Sequence, residues 1–141
     1  VRVSDSPDRN VSFLTAPNIY LKDRRADLFF VTIDKEERHF ALSRRYDDYA
    51  MNANHFHWQT QSTTRSESDK GRRYRAVDFR NGDAPQAHLF VREKKIEKGV
   101  TQAFVYLGRL AYVSDTGECP MSIVWELETP IPARWLDRFT R

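Results

Sequence analysis

The chain has 141 residues, enough for one domain with a buried core and too few for two large catalytic domains. With 40% apolar and 30% charged residues it has the composition of a soluble globular domain, and no apolar run approaches the roughly 20 residues that span a membrane. The net charge is only +3 despite 23 basic residues, which excludes a uniform coat of positive charge and favours a local basic patch.

The first residues and the single cysteine predict that the chain is a fragment of a longer cytosolic protein. The chain opens at Val1 without a methionine or the apolar core of a signal peptide, so we expect it to come from a longer protein. The single cysteine, Cys119, cannot form an internal disulfide and has no Cys or His neighbours for a structural zinc site, which fits a reducing compartment. We predict one domain over residues 1–141, with residues 1–17 as a poorly ordered lead-in.

Two strands have the clearest patterns. The run Asp27–Asp34 is aromatic, β-branched and apolar on both faces, which predicts a central buried strand. The run His55–Gln61 alternates, with Phe56, Trp58 and Thr60 on one face. The other face carries hydrogen-bonding side chains: His55, His57, Gln59 and Gln61.

The segments around the second strand are polar. Residues 43–49 favour a loop or one helical turn. Residues 62–75 hold five basic and two acidic side chains, so 5 minus 2 gives +3, an excess equal to that of the whole chain. No helical face is evident in this segment, and we predict a basic loop.

Later strands are predicted at Ala87–Arg92, Ala103–Leu107 and Leu110–Ser114, with Gly108 separating the last two. The run Met121–Leu127 closes the sheet, with Met121, Ile123, Trp125 and Leu127 facing one way, and an amphipathic helix follows at Ala133–Phe139. These elements predict a mostly β, α+β domain: one curved, barrel-like sheet flanked by one or two short helices.

The motifs of the commonest enzymes are absent. The chain has no phosphate-binding Gly-x-x-x-x-Gly-Lys-Ser/Thr loop, no Gly-x-Ser-x-Gly elbow and no His-Glu-x-x-His helix. Two histidines on one strand face, His55 and His57, could share a metal with His39 or His88, although histidines on a polar strand face more often make ordinary hydrogen bonds. We therefore predict a domain that is not an enzyme, with no catalytic residue, no metal and no cofactor.

What remains is a group of rings and amides beside the basic segment. Nucleic-acid recognition uses guanidinium and ammonium groups for phosphates, amides and carboxylates for base edges, and flat rings for stacking unpaired bases. The rings fall within one stretch of the sequence: Tyr46, Tyr49, Phe56, Trp58 and Tyr74. The alternative interpretation makes Phe56 and Trp58 core residues and the amides part of a solvated sheet face.

Several motifs, taken in order, resemble one family. They include Ala-Asp-Leu-Phe-Phe-Val-Thr-Ile-Asp-Lys, Arg-Tyr-Asp-Asp-Tyr-Ala, Phe-His-Trp-Gln-Thr-Gln-Ser and Pro-Met-Ser-Ile-Val-Trp-Glu-Leu, between about Ala26 and Pro132. The chain resembles a domain of unknown function found at the C-terminal end of bacterial superfamily-two helicases, often behind a phospholipase-D-type nuclease. Phe-His-Trp-Gln is the most specific part of the resemblance.

The resemblance implies target recognition in a modification-dependent restriction system of the bacterial cytoplasm. Related proteins carry a domain similar to the SET-and-RING-associated (SRA) readers, which have a barrel-like sheet and flip a modified cytosine out of duplex DNA. It therefore implies double-stranded DNA containing 5-methylcytosine or 5-hydroxymethylcytosine as the partner. Helicase and nuclease domains of the same polypeptide would perform ATP hydrolysis and cutting.

On this interpretation the site residues form two sets. The base pocket is assigned to Tyr46, Asp48, Tyr49, His57, Trp58, Gln59, Gln61 and Tyr74. Contacts with the DNA backbone are assigned to Arg44, Arg45, Thr63, Arg65, Lys70, Arg72, Arg73 and Arg75. The interpretation requires a ring-lined hollow with cations at its mouth.

Three alternatives remain open. The domain could be a DNA clamp that is indifferent to modification, or a protein-interaction module. A hydrolase that uses His57 with Asp47 or Asp48 is a third, but no nucleophile or metal set accompanies those residues.

Overall fold

The computed structural model describes residues 18–34 and 47–140. Its strands are β1 (Asn18–Leu21), β2 (Ala26–Asp34), β3 (Tyr49–Asn52), β4 (His55–Gln59), β5 (Gln86–Lys94), β6 (Ile96–Glu97), β7 (Val100–Thr101), β8 (Val105–Thr116) and β9 (Ser122–Leu127). Its helices are α1 (Asp69–Ala76) and α2 (Ala133–Phe139), and a 3-10 turn covers Lys22–Arg24. The expected lead-in, residues 1–17, lies outside the described residues.

Seven strands form one sheet in the order β1-β2-β5-β8-β9-β4-β3, and β6 and β7 form a separate hairpin. The β2/β5 pair is parallel and the other pairs are antiparallel. The N-terminal half of β8 pairs with β5, while its C-terminal half pairs with β9. One long strand therefore joins the two halves of the sheet.

The sheet is strongly curved. Strands β2 and β4 are four steps apart in the sheet order, which would separate them by about 19 Å in a flat sheet. Yet the rings of Phe29 on β2 and Trp58 on β4 stack with centroids 4.3 Å apart. The predicted curvature is confirmed, but the expected barrel does not close, because β1 and β3 remain its edge strands within the described residues.

The strongest periodic patterns predict their elements correctly. On β4, Phe56 and Trp58 are buried, and Thr60 just beyond it is buried too. The four alternate apolar residues from Met121 to Leu127 are also buried, although β9 lies between β8 and β4 instead of at the end of the sheet. Helix α2 has the predicted bounds and buries Phe139 completely.

Two expectations about local structure are wrong. Gly108 does not separate two strands: it lies inside β8 with φ at 103°, beside a register shift opposite Leu89 and Phe90. A glycine within a strand pattern can mark a bulge as well as an end, and here it marks a bulge.

The basic segment is not a loop throughout, because its second half is helix α1. Ser68 caps the helix by accepting a hydrogen bond from the Gly71 amide at 3.0 Å. Gly71 packs so tightly that an added Cβ would lie 2.2 Å from the carbonyl oxygen of Arg65. Within α1 only Gly71 and Tyr74 are buried, so the sequence shows no apolar stripe.

Candidate functional site

A recess lies where the two halves of the sheet meet helix α1. Its walls come from β1, β2, β4, α1, the residue before β3 and the segment after β4: Asn18, Phe30, Asp48, Trp58, Gln59, Gln61 and Tyr74. The recess therefore brings together five residues of the predicted base pocket: Asp48, Trp58, Gln59, Gln61 and Tyr74.

The recess is small in this conformation. The space open to the centre of a water molecule is about 20 Å³. A single water needs at least about 10–15 Å³ by this measure, so the recess holds about one water. It is much smaller than the hollow that the sequence interpretation requires for a flipped base.

The two rings of the recess belong to the core. Trp58 is 4% exposed and Tyr74 is 2% exposed. Phe29 covers Trp58, and Tyr74 meets both of those rings edge-on, with centroids 5.4 and 5.7 Å away. The alternative interpretation of Trp58 as a core residue is confirmed, and either ring presents only a small part of its surface to the recess.

The polar side of the recess is held by hydrogen bonds between β4 and the segment before β3. The backbone amide of Gln59 donates to Asp48 Oδ1 at 2.8 Å, and the amide of Asp47 donates to Gln59 Oε1 at 2.8 Å. The Gln59 side chain also donates from Nε2 to Ser122 Oγ at 3.2 Å. These bonds fix the position of Gln59 and of the Asp48 carboxylate at the recess.

Gln61 and Lys70 lie at the mouth of the recess. Gln61 lines it and is exposed, and its Oε1 accepts a hydrogen bond from Lys70 Nζ at 3.4 Å. An amide and an ammonium group therefore stand side by side at the entrance.

Tyr49 and His57 pair with each other and do not line the recess. Their rings stack with centroids 4.9 Å apart on the neighbouring strands β3 and β4. His57 Nδ1 lies 2.7 Å from the backbone carbonyl oxygen of Asp47. Because a carbonyl oxygen can only accept, Nδ1 carries the proton and donates here. This carbonyl contact gives no support to a catalytic His–carboxylate pair.

Behind the recess a polar network ties β1, β2 and α1 together. The Tyr74 hydroxyl donates to Asn18 Oδ1 at 3.3 Å, and Asn18 Nδ2 donates to Asp27 Oδ1 at 3.2 Å. Burial, reinforced by the Asp27 charge, raises the pKa of Tyr74 well above its ordinary value, so the hydroxyl remains a neutral donor.

The predicted backbone-contacting residues divide into two groups. Arg73 and Arg75 are held in ion pairs: Arg73 with the buried Asp27, and Arg75 with Asp115 at 2.8 Å. The expectation that Arg73 grips phosphate is not supported, because its guanidinium already binds a carboxylate inside the protein.

The other group lies on the surface. Arg72 is exposed and is 3.5 Å from Glu67, and Thr63 and Arg65 are exposed. Lys70 is partly exposed beside Gln61. Arg44, Arg45 and Tyr46 lie outside the described residues.

The histidines make ordinary hydrogen bonds. His55 Nδ1 lies 3.1 Å from Asn52 Oδ1, and His88 Nδ1 lies 2.8 Å from the Tyr106 hydroxyl. In residues 18–34 and 47–140, no three His, Cys, Asp or Glu side chains cluster as metal ligands would. His39, the other residue considered for a metal, is outside the described part of the chain.

Two residues of the recess are absent from the sequence prediction. Asn18 follows the polar lead-in in the sequence. Its position at the recess depends on its hydrogen bond to Asp27, nine residues later. Phe30 belongs to a strand that is apolar on both faces, so its alternation gives no signal of which face is the site.

Comparison with known proteins identifies a family for this chain. A family model described as a domain of unknown function (DUF3427) matches residues 15–139. No curated protein matches the chain. None of the helices in the described residues has the length and apolar character needed to cross a membrane.

Proposed function

We propose a function for this chain, which belongs to DUF3427, a family of domains of unknown function. We propose that it is a DNA-recognition domain that binds a modified cytosine, either 5-methylcytosine or 5-hydroxymethylcytosine, after this base has flipped out of the duplex. On this proposal it serves a modification-dependent restriction protein of the bacterial cytoplasm, whose helicase and nuclease domains lie elsewhere in the polypeptide. The domain itself would not be an enzyme.

The observation that carries the proposal is the convergence of Asp48, Gln59 and Gln61 on one recess. A cytosine offers an amino donor at N4 and acceptors at N3 and O2, so a carboxylate and an amide together complement its Watson–Crick edge. Gln59 is fixed by its bonds to Asp47 and Ser122, while Gln61 is exposed at the mouth. Gln59 thus holds the polar wall in place, and Gln61 is the adjustable group that can turn toward a base.

Entry of a base requires the recess to widen. The rings of Trp58 and Tyr74 are packed in the core, so the wider space must come from the mouth, where Gln61 and Lys70 are more exposed. Extruding a base costs a few kcal/mol of stacking and pairing, and hydrogen bonds to its edge must offset that cost. Selectivity for a methyl or hydroxymethyl group would then depend on the shape of the widened recess.

Cations near the mouth support a role in binding DNA. Lys70 contacts Gln61, and Arg65 and Arg72 are exposed on the same basic segment. Side chains of this type supply the salt-dependent part of the affinity for DNA.

Gel-shift titrations with three otherwise identical duplexes test the proposal. The duplexes carry cytosine, 5-methylcytosine or 5-hydroxymethylcytosine at one position, and we expect one modified duplex to bind about tenfold or more tightly than the unmodified one. Gln61→Ala should reduce this preference, whereas Ser62→Ala, at the exposed neighbouring position, should retain it. Equal binding of all three duplexes by the unaltered chain would contradict the proposal.

The second candidate is a DNA clamp that is indifferent to modification. The size of the recess favours it, because space for about one water does not by itself accommodate a base. A clamp predicts equal affinity for the three duplexes with a strong salt dependence. A protein-interaction module, in contrast, predicts no affinity for any of them at moderate salt.

A further inference from the structure

A row of aromatic rings crosses the outer face of the sheet. Phe30 on β2 lies beside Phe90 on β5, and Phe90 lies beside Tyr106 on β8. Their centroids are 4.9 and 5.0 Å apart, with interplanar angles of 20° and 39°. The three rings therefore form a continuous row across three neighbouring strands, with the first pair stacked and the second pair tilted.

This stack is on the opposite side of the sheet from the core. Along β5 the residues Ala87, Leu89 and Val91 are buried in the core, so the alternate residue Phe90 points outward. Exposure increases along the row, from 7% at Phe30 to 52% at Tyr106.

The stack ends on an open side of β8. Strand β9 pairs with β8 only from Leu110 onward, so within the described residues no strand adjoins Tyr106 on the side away from β5. The Tyr106 hydroxyl is held by His88 Nδ1 at 2.8 Å, which orients the ring. A flat group can therefore extend the stack beyond Tyr106.

Arg92 lies beside the rings and has no carboxylate partner among residues 18–34 and 47–140. Arg92 donates to Thr32 Oγ1 at 3.0 Å and to the Gln102 carbonyl at 3.1 Å, and its guanidinium is 4.2 Å from the Phe104 centroid. These partners are all uncharged. Residues 92–98 carry four basic and two acidic side chains, 4 minus 2 giving +2. Glu128 is close enough to act on Tyr106 but is paired with Arg109, so the charge that favours an anionic occupant lies at the Arg92 side of the row.

We propose that this outer aromatic face binds single-stranded nucleic acid, with an unpaired base stacked on Tyr106 and a backbone phosphate near Arg92. Stacking on aromatic side chains combined with nearby cations is the usual means by which proteins bind single strands without sequence preference. Phe30 belongs both to this row and to the wall of the recess, but Tyr106 and Arg92 do not line the recess. Occupancy of the Tyr106 end therefore does not depend on the proposed reading of a modified base.

Fluorescence anisotropy with a labelled oligothymidylate of about ten nucleotides tests this proposal, at salt concentrations between about 50 and 200 mM. We expect Tyr106→Ala to weaken binding about tenfold, the effect of losing one base–ring stack. Tyr106→Phe keeps the ring and should bind within about twofold of the unaltered chain. Arg92→Gln should weaken binding and reduce the slope of log K against log salt by about 0.7.

Two controls separate the outcomes. Val113→Ala alters an exposed apolar residue on the C-terminal half of β8 and should leave binding unchanged. Ser62→Ala, at an exposed position outside the lining of the recess, should likewise leave single-strand affinity unchanged. The proposal is overturned if the unaltered chain does not bind the oligonucleotide, or if a folded Tyr106→Ala variant, checked by circular dichroism, binds it equally well.

Discussion

Arg73 of α1 donates two hydrogen bonds to Asp27 of β2, from Nε to Oδ2 at 2.8 Å and from Nη2 to Oδ1 at 2.9 Å. The Asp27 side chain is completely buried and also accepts a bond from Asn18. A buried carboxylate is tolerated only when it is paired and hydrogen-bonded. This ion pair therefore holds the helix against the sheet and places Tyr74 at the back of the recess.

Removing one partner of this pair should be costly. Arg73→Ala leaves the Asp27 carboxylate buried without a cation, and we expect the free energy of unfolding to fall by about 3–5 kcal/mol. Urea denaturation followed by circular dichroism measures the change. The neighbouring Arg72→Ala removes only an exposed pair with Glu67 and should cost less than about 1 kcal/mol. Equal losses in the two variants would contradict the structural role of Arg73.

Close packing at Gly71 predicts that this position accepts no side chain. A Cβ there would lie 2.2 Å from the Arg65 carbonyl and 2.7 Å from the Ser66 carbonyl, so the backbone would have to shift. We expect Gly71→Ala to destabilise the domain by about 1–3 kcal/mol. Gly82→Ala is the matched control, because nothing lies within 4 Å of an added Cβ there. A similar midpoint of thermal unfolding for both variants would argue against the close contact.

The ion pair at Asp115 predicts a loss of stability in acid. The hydrogen bond from Arg75 lowers the pKa of Asp115 below its ordinary 3.8, against the opposing effect of burial. Because the folded state binds this proton less readily than the unfolded state, the stabilisation is present above about pH 4 and is lost as pH falls through the folded-state pKa.

Asp115→Asn should therefore flatten the decline in stability below about pH 4, by about 1 kcal/mol or less since the pair is partly exposed. Urea midpoints measured at a series of acidic pH values give the slope. Asp137→Asn, on an exposed position of α2, should keep the slope of the unaltered chain. An unchanged slope in Asp115→Asn would show that this pair does not form.

The salt dependence of DNA binding should identify the cations that contact phosphates. Arg65→Ala and Lys70→Ala should each weaken binding to duplex DNA and reduce the slope of log K against log salt by about 0.9. Arg80→Ala is the control, because Arg80 is paired with Glu126, at the opposite end of β9 from Ser122 and the recess. If Arg80→Ala alone changed the slope, the DNA would lie on a different surface.

The parts of the fold that follow from local patterns were predictable from the sequence. Phe56 and Trp58 alternate along one strand, and Trp135 and Phe139 are spaced along one helix. In each case a single element packs one face against the core, and such a face can be recognised from local sequence alone. Helix α1 escaped prediction because its stability comes from a cap, a close glycine contact and one buried tyrosine, not from an apolar stripe.

The site was predictable only in part. The sequence placed Asp48, Gln59 and Gln61 in one group, and the structure brings them to one recess. The sequence could not show that Arg73 forms an internal ion pair while Arg72 lies on the surface, because the partner of Arg73, Asp27, lies 46 residues earlier in the chain. The outer row of rings was likewise hidden, since it exists only through the register of β2, β5 and β8.

The parallel pairing of β2 with β5 has a consequence for folding kinetics. Ala26 pairs with Gln86, and the chain between them forms β3, β4 and α1, two of which belong to the far edge of the sheet. The entropy of closing so long a loop must be overcome before the central pairing can form. We therefore expect refolding on the slow, millisecond-to-second scale of domains dominated by distant contacts, with edge strands exposed to intermolecular association in the meantime.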